Sequence, residues 1–198
     1  MSSTEVTRLL HRWESRLRDL GAPSVHALRP GRTRRQVDEL AAEYGLEVSD
    51  DAAALWMWHD GDTGTDVQHG LTPSGQFWSL EGSLERSIWL QHITCDGPDD
   101  GDYSDERPGD ELYFRRDYLT ILSAENPLYV DCTPGTTGTE TGVFFTHDLA
   151  RMPRLGIVDR LLRWHDALDR GLWRIDATGA WIVDDTAAPD EPMWWWLY

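Results

Sequence analysis

The sequence predicts an α+β fold with a mostly antiparallel sheet. Three helical segments come first in the chain, a block of short β-rich segments follows, and a further helix comes near the end. This order differs from the regular alternation of strands and helices that builds a doubly wound parallel sheet. The β-rich segments are joined by short connections, which favours antiparallel pairing. A length of 198 residues suits one ordinary domain, or one domain with an appendage.

The first helix is predicted over residues 4–20. Apolar residues repeat there on one face, and Gly21 and Pro23 end the pattern. The apolar stripe consists of Val6, Leu9, Leu10, Trp13, Leu17 and Leu20. Residues 21–32 are expected to form a linker. We therefore separate an N-terminal helix and linker, residues 1–29, from the domain that follows.

Two further helices are predicted from their capping residues. Thr33 and Gln36 form a capping box at the start of one helix, and Gly45 ends it. Ser49 caps the next helix, which continues through residues 52–59. Their apolar faces include Val37, Leu40, Ala41 and Tyr44 in the former, and Leu55, Trp56 and Trp58 in the latter.

The rest of the chain mixes strands with two helices. Short segments rich in β-forming residues predict strands at residues 67–71, 76–79, 118–122, 128–132, 142–146 and 181–183, the last as an edge strand. Helical patterns cover residues 81–92 and 157–170, and Gly171 ends the second of these helices. Its inward positions are predicted as Val158, Leu161, Leu162, His165 and Leu168.

The charge bears on the kind of partner. The chain has 18 Arg, no Lys and 35 acidic residues, for a net charge of −17. The absence of Lys excludes lysine Schiff-base chemistry and a phosphate-loop lysine. Residues 1–35 hold eight Arg and three acids, whereas residues 36–198 hold ten Arg and 32 acids. A body this acidic repels nucleic acid and anionic lipid and attracts basic partners. Acidity that serves only solubility is the alternative.

Motifs for catalysis and metal binding are missing from the sequence. It has no Gly-x-Ser-x-Gly elbow and no glycine-rich phosphate loop. Loops starting at Asp60 or Asp96 lack the ligand set of an EF-hand, and the His and Cys residues show no zinc spacing. We therefore expect no metal, no cofactor and no enzymatic activity. The alternative is a small hydrolase or transferase with a thiol site at Cys132, His147 and Asp148.

One set of motifs points to a family. Residues 55–61, Leu-Trp-Met-Trp-His-Asp-Gly, join a helix end to an Asp-Gly turn. Later come Tyr129-Val130-Asp131 and Thr141-Gly142-Val143, and then the final helix. In this order of motifs, over roughly residues 30–175, the chain resembles the Smi/Knr-like, or SUKH, family. It departs from the family pattern in two ways: the stretch 96–111 is a longer and more acidic insert, and the strand at 118–122 lacks a Trp-Pro start.

The resemblance implies a twisted, mostly antiparallel sheet packed with helices, here over residues 30–183, with an extra N-terminal helix. Residues 184–198 then form an acidic, Trp-rich tail. It also implies a binding role without catalysis. Many bacterial members resemble immunity proteins that neutralise polymorphic toxins, often nucleases. Fungal relatives act as regulatory scaffolds in cell-wall and growth control.

Four residues are predicted to serve in structural turns: His59, Asp60, Gly61 and Asp131. Asp60 can accept backbone hydrogen bonds, and Gly61 tolerates positive φ. A role in a contact surface is the alternative interpretation.

Two segments are candidate partner-binding regions. The stretch 96–111 carries Asp96, Asp99, Asp100, Asp102, Asp105, Glu106, Asp110 and Glu111. The C-terminal tail carries Trp194, Trp195 and Trp196. An acidic surface speeds association with a basic nuclease, and Trp is a preferred anchor of protein interfaces. The alternatives are a solvated loop and a tail folded back over its own domain. Core packing is predicted for five other tryptophans: Trp13, Trp56, Trp78, Trp89 and Trp164.

The leading hypothesis is a cytoplasmic immunity protein that binds a basic toxin, with a nuclease as the expected class of toxin. We expect it to bind neither nucleic acid nor membrane. The alternative is a regulatory scaffold for a cellular protein. Arginines interrupt the first 20 residues, so no secretory signal is expected, and two cysteines outside any motif suit a reducing compartment. We expect a monomer or weak dimer.

Overall fold

The computed structural model describes residues 3–64, 67–95, 114–123, 126–134, 139–144, 154–184 and 186, and it shows a mixed α+β fold. Its helices are α1 (Ser3–Asp19), α2 (Ser24–Ala27), α3 (Arg34–Glu43), α4 (Asp50–Trp58), α5 (Leu80–Cys95) and α6 (Ile157–Asp169). Its strands are β1 (Leu28–Pro30), β2 (His59–Asp62), β3 (Gln76–Phe77), β4 (Tyr118–Ser123), β5 (Leu128–Asp131), β6 (Glu140–Val143), β7 (Leu155–Gly156), β8 (Trp173–Ile175) and β9 (Trp181–Val183). Among these residues, no helix is both long and apolar enough to cross a bilayer.

The helices predicted from periodicity and caps are confirmed. The Thr33 side chain accepts from the Gln36 N–H while the Gln36 side chain accepts from the Thr33 N–H, so α3 begins with a capping box. Ser49 caps α4 through the Ala52 N–H. Gly171 follows α6 at φ +72°, as expected of a C′ glycine.

The predicted linker at residues 21–32 is wrong, because this segment forms α2 and β1. Strand β1 pairs antiparallel with β2, thirty residues further along the chain. The Arg32 N–H also donates to the Trp56 carbonyl at 2.8 Å. At Gly31 an added Cβ would overlap the Met57 carbonyl oxygen, so only glycine allows this close approach to the end of α4. These long-range contacts leave no local pattern in the sequence.

The main sheet has five strands in the order β3-β4-β5-β6-β7, and every neighbouring pair is antiparallel. Strand β6 begins two residues before the predicted start at Gly142. The strand predicted at residues 67–71 is wrong, since Val67–His69 is a turn of 3₁₀ helix. Strand β9 pairs with β8 in a separate hairpin and does not extend the main sheet.

The core lies between the main sheet and helices α1, α4 and α6. The predicted stripe of α1 is fully buried except for Leu20, and this helix packs against α4 and α6. Trp13 of α1 contacts the rings of Trp164, Trp173 and Trp181. Leu162, predicted to face inward, is 43% exposed because α6 turns it away from Leu161 and His165.

The other face of the sheet carries a second apolar cluster. It consists of Leu90, Phe114, Tyr118, Tyr129 and Phe144. Successive residues of a strand point to opposite faces, so Leu119 and Val130 join the main core while their neighbours Tyr118 and Tyr129 join this cluster. Helix α5 packs against β4 and supplies Leu90.

Candidate functional site

The residues predicted as a turn after α4 lie in strand β2. His59, Asp60 and Gly61 continue from α4 directly into the pairing with β1. Gly61 has φ +76°, and an added Cβ there would overlap the Ser79 backbone nitrogen. The predicted turn is therefore a strand. The left-handed backbone conformation of Gly61 allows this strand to pass close to Ser79, just before α5.

Asp60 joins this strand to its neighbours. Its Oδ1 accepts a hydrogen bond from the Leu80 N–H at 2.9 Å, and its Oδ2 lies 2.7 Å from the Arg32 guanidinium. The hydrogen bond that Arg32 donates to Asp60 raises the pKa of Arg32 above its usual value, against the opposing effect of burial. Both carboxylate oxygens thus have protein partners.

His59 connects β1, β2 and α1. Its Nδ1 lies 2.7 Å from the Arg29 carbonyl oxygen, and its Nε2 lies 3.4 Å from the Glu14 carboxylate. Burial would raise the pKa of Glu14, but hydrogen bonds from His59, Trp58 and Arg18 outweigh it and lower this pKa. His59 therefore takes part in a polar network that joins three elements of the fold.

Asp131 ends strand β5 and is only 6% exposed. Its Oδ1 accepts from the Thr133 N–H at 2.9 Å, and its Oδ2 accepts from Arg154 at 2.8 Å. Arg154 also donates to the Tyr118 hydroxyl, and its guanidinium lies 3.5 Å from the Glu140 carboxylate. This arrangement ties the ends of β4, β5 and β6 to the residue that precedes β7.

The alternative thiol site is only partly within the described residues. Cys132 is a free thiol, 4% exposed, and burial raises its pKa to about 12. A thiol with that pKa stays protonated at neutral pH and is a poor nucleophile. His147 and Asp148 lie outside the described residues. The described parts of the chain contain no group of three or more His, Cys, Asp or Glu that could hold a metal ion.

Helix α5 presents apolar side chains to solvent. Ile88, Trp89 and Ile93 are 49%, 46% and 43% exposed. The prediction that Trp89 packs in the core is therefore wrong, because α5 rests on the sheet through Leu84 and Leu90. The Arg86 guanidinium lies 3.9 Å from the centre of the Trp89 ring, which fixes the indole in place through a cation–π contact.

A cleft lies beside this exposed face. It has a volume of about 530 Å³ and separates α5 from the C-terminal end of α3. Its lining is about equally polar and apolar. The apolar part includes Ala42, Tyr44, Leu46, Leu84 and Ile88, and the polar part consists of Glu43, Ser87, Gln91 and Arg116. We define the α5 face as Ile88, Trp89 and Ile93 together with this cleft.

The predicted partner-binding residues lie outside the described residues: Asp96, Asp99, Asp100, Asp102, Asp105, Glu106, Asp110, Glu111, Trp194, Trp195 and Trp196. Sequence reasoning missed the α5 face. The signal was present, because apolar residues occur on all sides of the helix at Leu84, Ile88, Trp89 and Ile93. A helix that is apolar all round is usually covered on more than one side.

The described residues thus form an α+β protein in which Asp60 and Asp131 are engaged with backbone N–H groups and arginines, and in which the apolar face of α5 is exposed to solvent. In comparisons with known proteins, no family model matches the chain, and no curated protein matches its sequence.

Proposed function

We propose that the chain is a non-enzymatic protein-binding domain of the Smi/Knr-like (SUKH) type, acting as an immunity protein that binds and neutralises a basic toxin, with a nuclease as the expected class. The observation that carries the proposal is the exposed apolar face of α5. Ile88, Trp89 and Ile93 lie on it within six residues of chain. In sequence this helix leads directly into the stretch 96–111, which holds eight acids and one Arg.

The apolar and acidic parts would serve different steps of binding. Trp is enriched among the residues that carry most of the binding energy in protein interfaces. Acidic residues raise the association rate with a basic partner and discriminate against acidic ones. A nuclease carries positive charge where it holds phosphate groups, so an acidic protein can dock on that surface and block it.

The polar residues of the fold support binding over catalysis. Asp60 and Asp131 have their carboxylate oxygens occupied by backbone N–H groups, hydroxyls and arginines. Cys132 is buried with a raised pKa. The free thiol of Cys132 also suits a reducing compartment, and we place the protein in the cytoplasm.

Capture from native cells tests the proposal. The tagged chain is incubated with lysate, bound proteins are eluted with rising salt, and each is identified by mass spectrometry. We expect a basic protein that salt releases, and we expect the purified chain to abolish its toxic or nuclease activity at a one-to-one ratio. Recovery of salt-insensitive housekeeping proteins with no inhibited activity would reject the immunity role and favour the regulatory scaffold.

A further inference from the structure

We propose that the partner binds the α5 face through a basic amphipathic segment, and that one apolar side chain of this segment enters the cleft between α5 and the end of α3. The inference rests on the proposed function in requiring a basic protein partner. It adds the surface that is used and the kind of segment that fits it.

Helix α5 exposes apolar side chains beyond those that pack against the sheet. Leu80, Leu84 and Leu90 bury one side of the helix, yet Ile88, Trp89 and Ile93 remain nearly half exposed on the other sides. Trp89 and Ile93 are four residues apart and therefore neighbours on the helix surface. Contiguous exposed apolar side chains of this kind mark interaction sites in proteins.

The cleft beside these side chains is large enough to hold an apolar side chain of a partner. Its volume of about 530 Å³ falls within the range of roughly 300–1,000 Å³ that binding clefts occupy. Ile88 belongs both to the cleft and to the exposed face, so one ligand can contact both. Ala42 lies exposed on its far wall, where a small side chain leaves the cleft open.

Charge favours a basic partner segment over a second copy of this chain as the ligand of the α5 face. A second copy of this chain would bring the same net charge of −17 to the interface and would be repelled. A basic segment is attracted by Glu81 and Glu85, which are exposed on α5, and by Glu43, which is exposed in the lining of the cleft. Arg86 is already engaged with Trp89. Arg116 lines the cleft, so an apolar side chain fits there better than a basic one, and the basic residues of the segment are expected beside Glu81 and Glu85.

Methyl NMR of the full chain tests the surface directly. The six isoleucines are labelled at their δ1 methyl groups. Ile88 and Ile93 report on the α5 face, and the exposed Ile182, in the separate β8–β9 hairpin, is the internal control. The probe is a synthetic amphipathic helical peptide of Leu and Arg. A peptide of the same pattern with Glu in place of Arg is the matched control.

We expect the Leu/Arg peptide to shift the Ile88 and Ile93 signals, with Ile182 unmoved and the Leu/Glu peptide without effect. Equal shifts at Ile182, no shifts at all, or equal binding of the Leu/Glu peptide would overturn the proposal. Shifts of Ile88 and Ile93 with protein concentration alone would assign the face to a second copy and would also overturn it.

Variants separate the cleft from the rest of the face. Ala42→Trp should fill the cleft and weaken peptide binding at least tenfold, whereas Ala177→Trp, exposed in the turn of the β8–β9 hairpin, should leave it unchanged. If Ala42→Trp does not fold, Ile88→Ala tests the α5 face as a whole, because Ile88 belongs to both the cleft and the exposed helix surface, with the similarly exposed Leu162→Ala as control. Unchanged peptide binding by Ile88→Ala would reject the α5 face. Unchanged binding by a folded cleft variant rejects the cleft.

The same variants distinguish this inference from the proposed function. If the chain inhibits a toxin and Ala42→Trp inhibits it equally well, the function stands and the surface is wrong. If the peptide binds the α5 face but no toxin is inhibited in cells or lysate, the surface stands and the immunity role is wrong.

Discussion

The Asp60 carboxylate accepts a hydrogen bond from the Leu80 N–H at 2.9 Å, so strand β2 satisfies the first turn of helix α5. The first N–H groups of a helix have no partner within the helix and need one from elsewhere. Ser79 satisfies the Gly82 N–H in the same turn. The segment that ends α4 thereby positions the helix that presents the candidate interaction face.

Removing this carboxylate should destabilise the protein. Asp60→Ala leaves the Leu80 N–H without its acceptor and Arg32 without its ion-pair partner, and we expect a loss of about 1–2 kcal/mol in the free energy of unfolding, as for loss of a helix cap. Urea unfolding followed by circular dichroism measures it. Asp38→Ala is the control, because its exposed pair with Arg34 should contribute less than about 0.5 kcal/mol. Equal losses of unfolding free energy in the two variants would show that the Asp60 contacts stabilise the protein no more than an exposed ion pair does.

Gly61 should tolerate no side chain. Gly61→Ala adds a Cβ at φ +76° that overlaps the Ser79 backbone, and we expect a cost of about 2–5 kcal/mol from backbone strain and overpacking together. Gly171→Ala separates the two effects, since Gly171 has φ +72° and no atom near an added Cβ. It should cost only the strain, about 1–2 kcal/mol. Thermal unfolding of both variants checks this difference, and similar midpoints would contradict it.

The stability of the protein should fall as the pH drops below neutrality, in part because of His165. This residue is 3% exposed, and its Nε2 lies 3.2 Å from the Leu9 carbonyl oxygen. Burial lowers the pKa of His165, the cations Arg12 and Arg16 lower it further, and the Leu9 carbonyl and Asp169 oppose them. The unfolded chain then binds the proton more readily, so this contribution to stability is complete above the unfolded pKa of about 6.5 and is lost as the pH falls towards the folded pKa.

The variant His165→Gln keeps a donor for the Leu9 carbonyl but cannot titrate. We expect a flatter dependence of unfolding free energy on pH between about 7.5 and 5.5, measured by urea unfolding across that range. His11→Gln is the control, because the His11 side chain is 64% exposed. A His165→Gln variant with the same pH dependence as the parent would show that His165 does not set it.

Arg154 should contribute more to stability than an ordinary surface arginine. Arg154→Met leaves the buried Asp131 carboxylate with only its Thr133 contacts and removes the donor to the Tyr118 hydroxyl. Because Arg154 is itself partly exposed, we expect a loss of about 1–2 kcal/mol rather than the larger cost of breaking a fully buried pair. Arg174→Met, which removes an exposed pair with Asp184, should cost less than about 1 kcal/mol. Chemical denaturation of the two variants measures both losses, and an equal or larger loss for Arg174→Met would contradict the prediction.

The local elements of the fold could be predicted because their signals lie within a few residues. The Thr33 capping box, the Ser49 cap and the stripe on α1 each depend on side chains that meet within a turn of helix. The α+β class followed from the order of such elements. The prediction failed at β1, where the conformation depends on pairing with residues distant in the chain. It also failed at Val67–His69, which forms a turn of 3₁₀ helix instead of a strand.

The candidate site shows the same division. The acidic stretch 96–111 and the Trp-rich tail could be chosen as candidate binding segments from composition alone. Their role in partner binding remains a prediction. The exposure of Trp89 could not be deduced from periodicity, since α5 has apolar residues on every side and any of them could have faced the sheet.

The sequence by itself determined where α1, α3, α4 and α6 begin and end to within a residue or two, the α+β class and the strongly acidic charge, because these depend on neighbouring residues or on composition alone. Only the tertiary structure decided that residues 28–30 pair with residues 59–62, that Asp60 caps α5, and which side of α5 stays open. Each of these depends on how the whole chain packs, since backbone groups and apolar faces find partners that are close in space and far apart in sequence.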